Sequence, residues 1–230
     1  MKLRVFDVHA QATEARQYLA GQHQALAAHG VTVGAHESWL DAPPGVVSLV
    51  TAHDSVGELV GGVRIHLRNP WGRLPMEEYL GDSSLNALLR ERAKETPAQL
   101  TGLWLHSAHR GTGLSDFLFL AGVAACRALG AGFVCGCAPA QLLPIYRKYG
   151  GHYDASRTYA YPDERYVTYV TYVDLSWCEA PDHPARAEYL GMRAAFQQGQ
   201  DWLFTPARAL AWNPPLVDTL PGPLPVLATG

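Results

Sequence analysis

The chain has 230 residues, of which 48% are hydrophobic and 17% are charged, and this composition excludes a wholly disordered chain. Its 18 Lys and Arg against 21 Asp and Glu give a net charge of -3, and no basic stripe favours binding to nucleic acid. The longest apolar run, residues 117–125, is too short to span a bilayer. The start, MKLRVFDVHA, does not resemble a signal peptide because Arg4 and Asp7 interrupt it. We therefore expect a cytoplasmic protein without membrane partners.

The first part of the chain combines short strand patterns with one amphipathic helix. Apolar residues at helical spacing predict a helix over 12–28, with Gly30 as its stop. The pair Gly61-Gly62 lies inside a strand pattern, which indicates a bulge or a close approach of another backbone. The other predicted elements here are strands at 2–8, 46–52 and 58–67, a loop at 36–45, and one or two short helices within 76–94.

The second part alternates strands and helices. Residues 114–129 are apolar on nearly all sides and predict a buried helix that ends at Gly130. Mixed strands and helices favour one central sheet flanked by helices. We divide the chain into a domain over 1–175 and a helical, proline-rich appendage over 176–230. The remaining predicted elements are strands at 99–105, 132–138, 153–161 and 166–175, a polar turn at 107–113, and helices at 141–149 and 185–198.

The cysteines give no sign of metal or redox chemistry. Cys126, Cys135, Cys137 and Cys178 form no C-x-x-C pair, which zinc sites and thioredoxin-type centres need. Reduced, buried thiols are the ordinary interpretation of such residues. We therefore predict a site without a metal.

A glycine-bearing turn, residues 109–115 (HRGTGLS), joins the strand at 99–105 to the buried helix. It lacks the third glycine of a dinucleotide fingerprint, since Asp116 stands there, and it lacks the Gly-Lys-Ser/Thr of a Walker loop. Glycines that lead into a helix expose backbone N–H groups in one direction, and the helix N-terminus adds about half a positive charge. Arg110 adds a fork of donors. The turn therefore predicts an anion site, with an ordinary tight turn as the alternative.

Several segments, taken in order, resemble the GNAT superfamily of N-acyltransferases. They are the segment Leu103-Trp104-Leu105, the turn, the apolar helix, and residues 144–150 (PIYRKYG). The family's cofactor signature is Arg/Gln-x-x-Gly-x-Gly/Ala, and here Ser115 occupies the last position of Arg110-x-x-Gly113-x-Ser115. The resemblance covers about residues 1–175. It implies an α/β (α+β) fold, with a mixed, mostly antiparallel sheet of about seven strands flanked by helices and splayed between 99–105 and 132–138.

The resemblance implies a thioester donor, either acetyl-CoA or another acyl-CoA, or the phosphopantetheine arm of an acyl carrier protein. The diphosphate would bind the N–H groups of the turn, and one N–H near Leu105 would face the thioester carbonyl. The acceptor would be a small-molecule or amino-terminal amine, and assembly as a homodimer is left open. The implied cofactor-binding residues are Leu103, Trp104, Leu105, Arg110, Gly111, Thr112, Gly113, Leu114 and Ser115.

Acyl transfer to an amine needs two proton transfers. An alkylamine with a pKa of about 10.4 is only ~0.04% neutral at pH 7, so it must lose a proton, whereas the leaving thiolate benefits from a proton donor. Tyr146 occupies the position at which many relatives carry a tyrosine acid, with a core tyrosine as the alternative. Relatives often carry a glutamate where Gln99 stands, and an amide cannot accept the proton. His66 is the candidate base, with Glu58 or a water chain as alternatives.

A finer resemblance concerns the branch of N-acyl amino acid synthases and acyl-homoserine lactone synthases. Residues 61–65 (GGVRI) and 74–78 (LPMEE) resemble that branch, and Arg64 matches its arginine, which implies a substrate-binding role, with an edge-strand arginine that pairs with an acid as the alternative. The branch's Glu-x-x-Arg is replaced by Gln99 and Gly102, so lactone synthesis is not expected, while N-acylation of an amino acid by a longer acyl group stays open. Two further alternatives are a catalytically silent acyl-CoA-binding protein and an interaction protein that uses the proline-rich tail.

Overall fold

The structure, a computed structural model, has a nine-stranded sheet at its centre. The structure describes residues 1–31, 37–68, 73–80, 89, 92, 94–155, 158–160 and 165–205. The strands are β1 (Lys2–Asp7), β2 (Val47–His53), β3 (Leu59–Leu67), β4 (Pro97–Leu105), β5 (Phe133–Pro139), β6 (Gly151–Tyr153), β7 (Tyr159–Ala160), β8 (Val167–Asp174) and β9 (Trp202–Leu203). The helices within these residues are α1 (Ala12–Ala27), α2 (Pro75–Leu80), α3 (Leu114–Ala128), α4 (Leu143–Lys148) and α5 (Arg186–Gln197). Short 3-10 helices lie at Glu37–Asp41, Ser107–His109, Ala140–Leu142 and Trp177–Glu179.

The strands lie in the order β6-β8-β5-β4-β3-β2-β1-β9, and β7 also pairs with β8. Every neighbouring pair is antiparallel except β4 and β5, which run parallel. The parallel pair needs a crossover connection, and α3 supplies it. This is the mixed, mostly antiparallel sheet with flanking helices that the motifs predict.

The sheet has more strands than the seven predicted. The predicted strand at 153–161 is instead two short strands, β6 and β7. Another short strand, β9, comes from the predicted appendage and pairs with β1. Strands of two or three residues are too short for a period-two pattern to be recognised in the sequence, which explains the difference.

Helix α3 crosses one face of the sheet and is buried on nearly all sides, as predicted. Gly122 allows the close approach, because a Cβ built on it would lie 3.0 Å from side-chain atoms of both Val63 and Leu100. Helix α5 packs against α3 and its apolar side chains join the same core. After α3 the chain turns back at Gly130, which has φ +92°.

Helix α1 and the turn Glu37–Asp41 cover the opposite face. Tyr18 of α1 is edge-on to Trp39 and to Trp104, with ring centroids 5.9 and 6.0 Å apart. Part of the loop predicted at 36–45 is therefore a helical turn. It forms because Trp39 is buried among apolar side chains of this face.

Part of the segment assigned to the appendage packs on the sheet and on α3. Phe204 is buried and stacks on Phe117 of α3, with ring centroids 5.1 Å apart. The proline-rich tail, within 206–230, lies outside the described residues, as does most of 81–93, where a further helix was predicted.

The described helices include none that is long and apolar enough to cross a bilayer. Over the same residues, no group of three His, Cys, Asp or Glu side chains is arranged to hold a metal ion. All four cysteines carry free thiols. Burial raises the pKa of Cys137 to about 12, so this thiol is protonated at neutral pH.

Candidate active site

A gap opens between β4 and β5. The two strands pair at their starts, and the last pair joins Gln99 to Cys135. Beyond it, residues 100–105 have no partner on β5, although both strands are described in full. A strand edge of this kind presents N–H and C=O groups with which an extended ligand can pair. The gap lies where the motifs predict it.

A bulge in β4, which the sequence patterns did not predict, accompanies the gap. The register between β3 and β4 shifts by one residue between Gly62 and Arg64, so Gly102 and Leu103 together oppose one residue of β3. Gly102 has φ +65°, a left-handed conformation that favours glycine. A lone glycine inside a strand pattern is the signal that could have located the bulge.

The glycine turn leads from the end of β4 into α3. Gly111 and Gly113 have left-handed backbones, at φ +72° and +75°. Gly113 is the N-cap residue and has no side chain that could cap the first-turn N–H groups. Space is open at Gly111, because a Cβ built there meets nothing within 4 Å. The residues present therefore fit an anion with several oxygens, such as a diphosphate.

Side chains beside the turn shape it and add positive charge. The Thr112 hydroxyl donates a hydrogen bond of 2.6 Å to the His109 carbonyl oxygen, which closes the turn. The Arg110 guanidinium is exposed and lies 3.1 Å from the ring of His29, just beyond the end of α1. The Arg110 guanidinium is therefore accessible to a ligand from solvent.

The predicted residues on β4 and at the start of α3 contribute mainly backbone. The side chains of Leu103, Leu105 and Leu114 pack into the core around α3. Trp104 is buried and packs on α1 instead. Ser115 is half-buried in the first turn of α3. A ligand in the gap would therefore meet main-chain groups here.

Tyr146 is a buried residue of α4 next to the gap. Its ring packs edge-on against Phe119 of α3, with centroids 4.6 Å apart. A Cβ built on Gly136, the first residue of β5 beyond the pairing with β4, would lie 3.2 Å from the Tyr146 hydroxyl and 3.0 Å from the Leu100 carbonyl oxygen. Burial raises the pKa of Tyr146 to about 12, so the hydroxyl keeps its proton at neutral pH. A proton donor thus lies where β4 and β5 separate.

His66 and Gln99 are buried neighbours across β3 and β4. The Gln99 side-chain oxygen accepts a hydrogen bond of 2.9 Å from the Met76 N–H, so it anchors α2. Burial, and secondarily the nearby Arg64, lowers the pKa of His66 to about 3. The ring is therefore neutral at pH 7 and a weak proton acceptor. Glu58 is exposed in the turn before β3.

Arg64 is buried on the α1 face of the sheet. Its guanidinium carbon lies 4.6 Å from the centroid of the Trp39 ring. His66, two residues further along β3, points to the same face. The structure therefore places Tyr146 beside α3, the helix that begins at the glycine turn, and Arg64 and His66 on the opposite face, toward α1.

No protein-family model matches the chain, and no curated protein is significantly similar to it in sequence. Solved structures do match. FeeM, an N-acyl amino acid synthase from uncultured soil microbes, aligns with a TM-score of 0.57 at 13% identity, over 75% of this chain and 96% of its own. BjaI, a CoA-dependent acyl-homoserine lactone synthase determined with SAM and isopentyl-CoA, aligns with a TM-score of 0.53 at 14% identity, over 90% of this chain and 98% of its own. MesI, another CoA-dependent acyl-homoserine lactone synthase, aligns with a TM-score of 0.53 at 11% identity, over 85% of this chain and 95% of its own.

At these identities the matches establish architecture. The chain therefore has the fold of the GNAT superfamily of acyltransferases, as its motifs predict.

Proposed function

We propose that the chain is an N-acyltransferase that moves an acyl group, most simply acetyl, from acyl-CoA to a primary amine. One observation carries the proposal: the open edge of β4, the turn at 110–115 and the hydroxyl of Tyr146 adjoin the same gap. An acyl-CoA has a diphosphate, an extended arm with amide groups and a thiolate leaving group. The diphosphate matches the glycine turn, the arm matches the open edge of β4, and the leaving thiolate matches the Tyr146 hydroxyl.

Backbone groups of this chain would hold the donor. N–H groups of residues 111–115 would bind the diphosphate, and each charge-assisted bond is worth about 1.5–3 kcal/mol. Arg110 would add a planar cation. The edge of β4 at 103–105 would pair with the arm, and the N–H near Leu105 would stabilise the carbonyl oxygen as it gains charge. The open space at Gly111 supports this close approach.

The reaction would be direct attack in a ternary complex. The amine nitrogen bonds to the carbonyl carbon, the carbon–sulfur bond breaks, and the electron pair leaves with sulfur. Tyr146 donates a proton to that sulfur as the bond breaks and is reprotonated from solvent. Because burial raises its pKa to about 12, Tyr146 is protonated and ready throughout the neutral range.

The amine must lose a proton. We propose that a water chain carries this proton to solvent, because neither candidate side chain is a well-placed, strong proton acceptor. His66 is a weak acceptor because burial lowers its pKa to about 3. Glu58 lies in an exposed turn. A direct role of His66 as the base stays a prediction, which the pH dependence of turnover tests.

A second candidate is an enzyme like the N-acyl amino acid synthases, loaded by an acyl carrier protein. The likeness to FeeM and the buried cation of Arg64, which suits an acceptor carboxylate, both favour it.

A third candidate, a silent acyl-CoA-binding protein, differs from the first two only in turnover. Mass spectrometry of the ligand that co-purifies with the protein would report donor type and chain length together. Calorimetry with CoA and thiol release from acetyl-CoA with a panel of amines complete the test. Thiol release that depends on the amine supports the proposal. CoA binding without thiol release supports the silent binder. Absence of CoA binding contradicts both the acyl-CoA-dependent enzyme and the silent binder.

A further inference from the structure

Helix α1 contacts β4 at the bulge. The Tyr18 hydroxyl donates a hydrogen bond of 2.5 Å to the Gly102 carbonyl oxygen. A Cβ built on Gly102 would lie 2.7 Å from that hydroxyl and 2.6 Å from the side-chain nitrogen of Gln22. Helix α1 therefore fills the space that a side chain at position 102 would need, and only glycine also adopts φ +65° there without strain.

The bulge changes the face on which Trp104 lies. Ala98 and Leu100 belong to the core around α3, and unbroken alternation along β4 would place Trp104 there as well. The extra residue reverses the alternation, so Trp104 packs on α1, where a Cβ built on Gly21 would lie 2.2 Å from the indole ring. One face of α1 therefore contacts both sides of the bulge.

The same face of α1 is fixed to the sheet one turn earlier. The Glu14 carboxylate accepts a hydrogen bond of 2.8 Å from the Thr51 hydroxyl and lies 2.8 Å from a ring nitrogen of His53. Arg4 of β1 adds an ion pair of 3.2 Å with Glu14. Tyr18 follows Glu14 by one helical turn and points to the same face. Its hydroxyl is thus held rigidly against the bulge.

We propose that Tyr18 is a positioning residue that fixes the direction of β4 beyond the bulge and so orients the N–H group of Leu105, on the open edge of the strand, toward the thioester. The inference rests on the proposed function. Without the hydroxyl, the Gly102 carbonyl can rotate, and residues 103–105 shift relative to the glycine turn. A misplaced oxyanion donor lowers the rate, whereas affinity for the diphosphate depends on the turn and is kept.

Tyr18→Phe tests the inference, because it keeps the ring between Trp39 and Trp104 and removes only the hydroxyl. We expect kcat to fall roughly tenfold or more, as small misplacements of reacting groups do, while the Kd for CoA stays within about twofold of wild type. Tyr18→para-aminophenylalanine restores a donor and should recover most of the rate. The matched control is Tyr189→Phe on α5, which removes another fully buried hydroxyl and should keep the wild-type kcat.

Each outcome decides the inference. A Tyr18→Phe protein with wild-type kcat, or one whose loss of kcat is equalled by Tyr189→Phe, would overturn it and leave the proposed function standing. If Tyr18→Phe does not fold, Tyr18→4-fluorophenylalanine, which also lacks the donor but keeps the volume of the side chain, is measured in the same way; reduced kcat at unchanged Kd supports the inference and unchanged kcat overturns it. A wild-type protein that releases no thiol contradicts the proposed function instead, and that result does not involve any variant.

Discussion

The Lys148 ammonium lies 2.6 Å from the Asp116 carboxylate and ties the end of α4 to the first turn of α3. Both side chains are largely buried, with 19% and 12% of their surfaces exposed. The carboxylate also stands where the helix dipole of α3 favours negative charge. Tyr146 lies about half a helical turn before Lys148 in α4. This ion pair therefore fixes the proposed acid, Tyr146, relative to the glycine turn.

Lys148→Met should lower both stability and turnover. The variant leaves the Asp116 carboxylate largely buried without its partner, which costs about 1–3 kcal/mol of the free energy of unfolding, measured in urea. The freed α4 lets Tyr146 move, so kcat should fall as well. Lys2→Met is the control, since Lys2 makes a more exposed ion pair with Asp201 at 3.4 Å and should change little. Equal effects of the two variants would contradict a special role of the Lys148 pair.

Gly113→Val should weaken binding of the donor. A β-branched residue at φ +75° costs about 1–2 kcal/mol and forces the turn to rearrange, so the Kd for CoA should rise roughly tenfold or more. Calorimetry measures this change. Gly57→Val imposes the same type of strain at φ +90° in the turn between β2 and β3, and it should lower stability without altering the Kd. Unchanged CoA affinity in the Gly113 variant would remove the turn from the binding site.

Tyr146→Phe should lower kcat by about 10²–10⁴ at an unchanged Kd for CoA, because the thiolate would leave without its proton donor. With a pKa raised to about 12, Tyr146 stays protonated at pH 7 to 9, so it should cause no alkaline fall in rate over that interval. Tyr189→Phe on α5, which also removes a fully buried hydroxyl, is the matched control. A loss below threefold would exclude Tyr146 as the acid.

His66 makes stability depend on acid pH. Its pKa is lowered to about 3 in the folded state, whereas the unfolded chain binds the proton near 6.5, so the folded state loses stability as pH falls through this interval. His66→Gln should flatten the dependence of the unfolding free energy on pH between about 6 and 4. The control is His23→Gln on the exposed side of α1. An unchanged slope in the His66 variant would contradict a neutral, buried ring.

Local patterns in the sequence predicted the parts of the fold that depend on near neighbours. The apolar run at 114–129 indicated the buried helix because every face of it is covered. Gly61-Gly62 indicated a close backbone approach, which is confirmed: Cβ atoms built there would lie 2.8 Å from the Trp104 carbonyl oxygen and 2.7 Å from that of Val50. The glycine turn likewise has the left-handed backbone that only its glycines allow without strain.

Contacts between distant segments were not predictable from the same patterns. Tyr18 and Gly102 are 84 residues apart, and neither residue's neighbours indicate the other. The pairing of β9 with β1 joins Leu3 to Trp202 and depends on how α5 packs on α3. The low pKa of His66 follows from burial across three strands, which spacing alone does not reveal.

Titration of the isotope-labelled protein with CoA, followed through its backbone amide resonances, tests the central claim most directly. If the turn after Arg110 binds the diphosphate, the amides of residues 111–115 should shift first and most, followed by those of 103–105 along the edge of β4. Saturation with CoA that leaves these amides unmoved, or that moves only amides remote from the gap, would contradict the account.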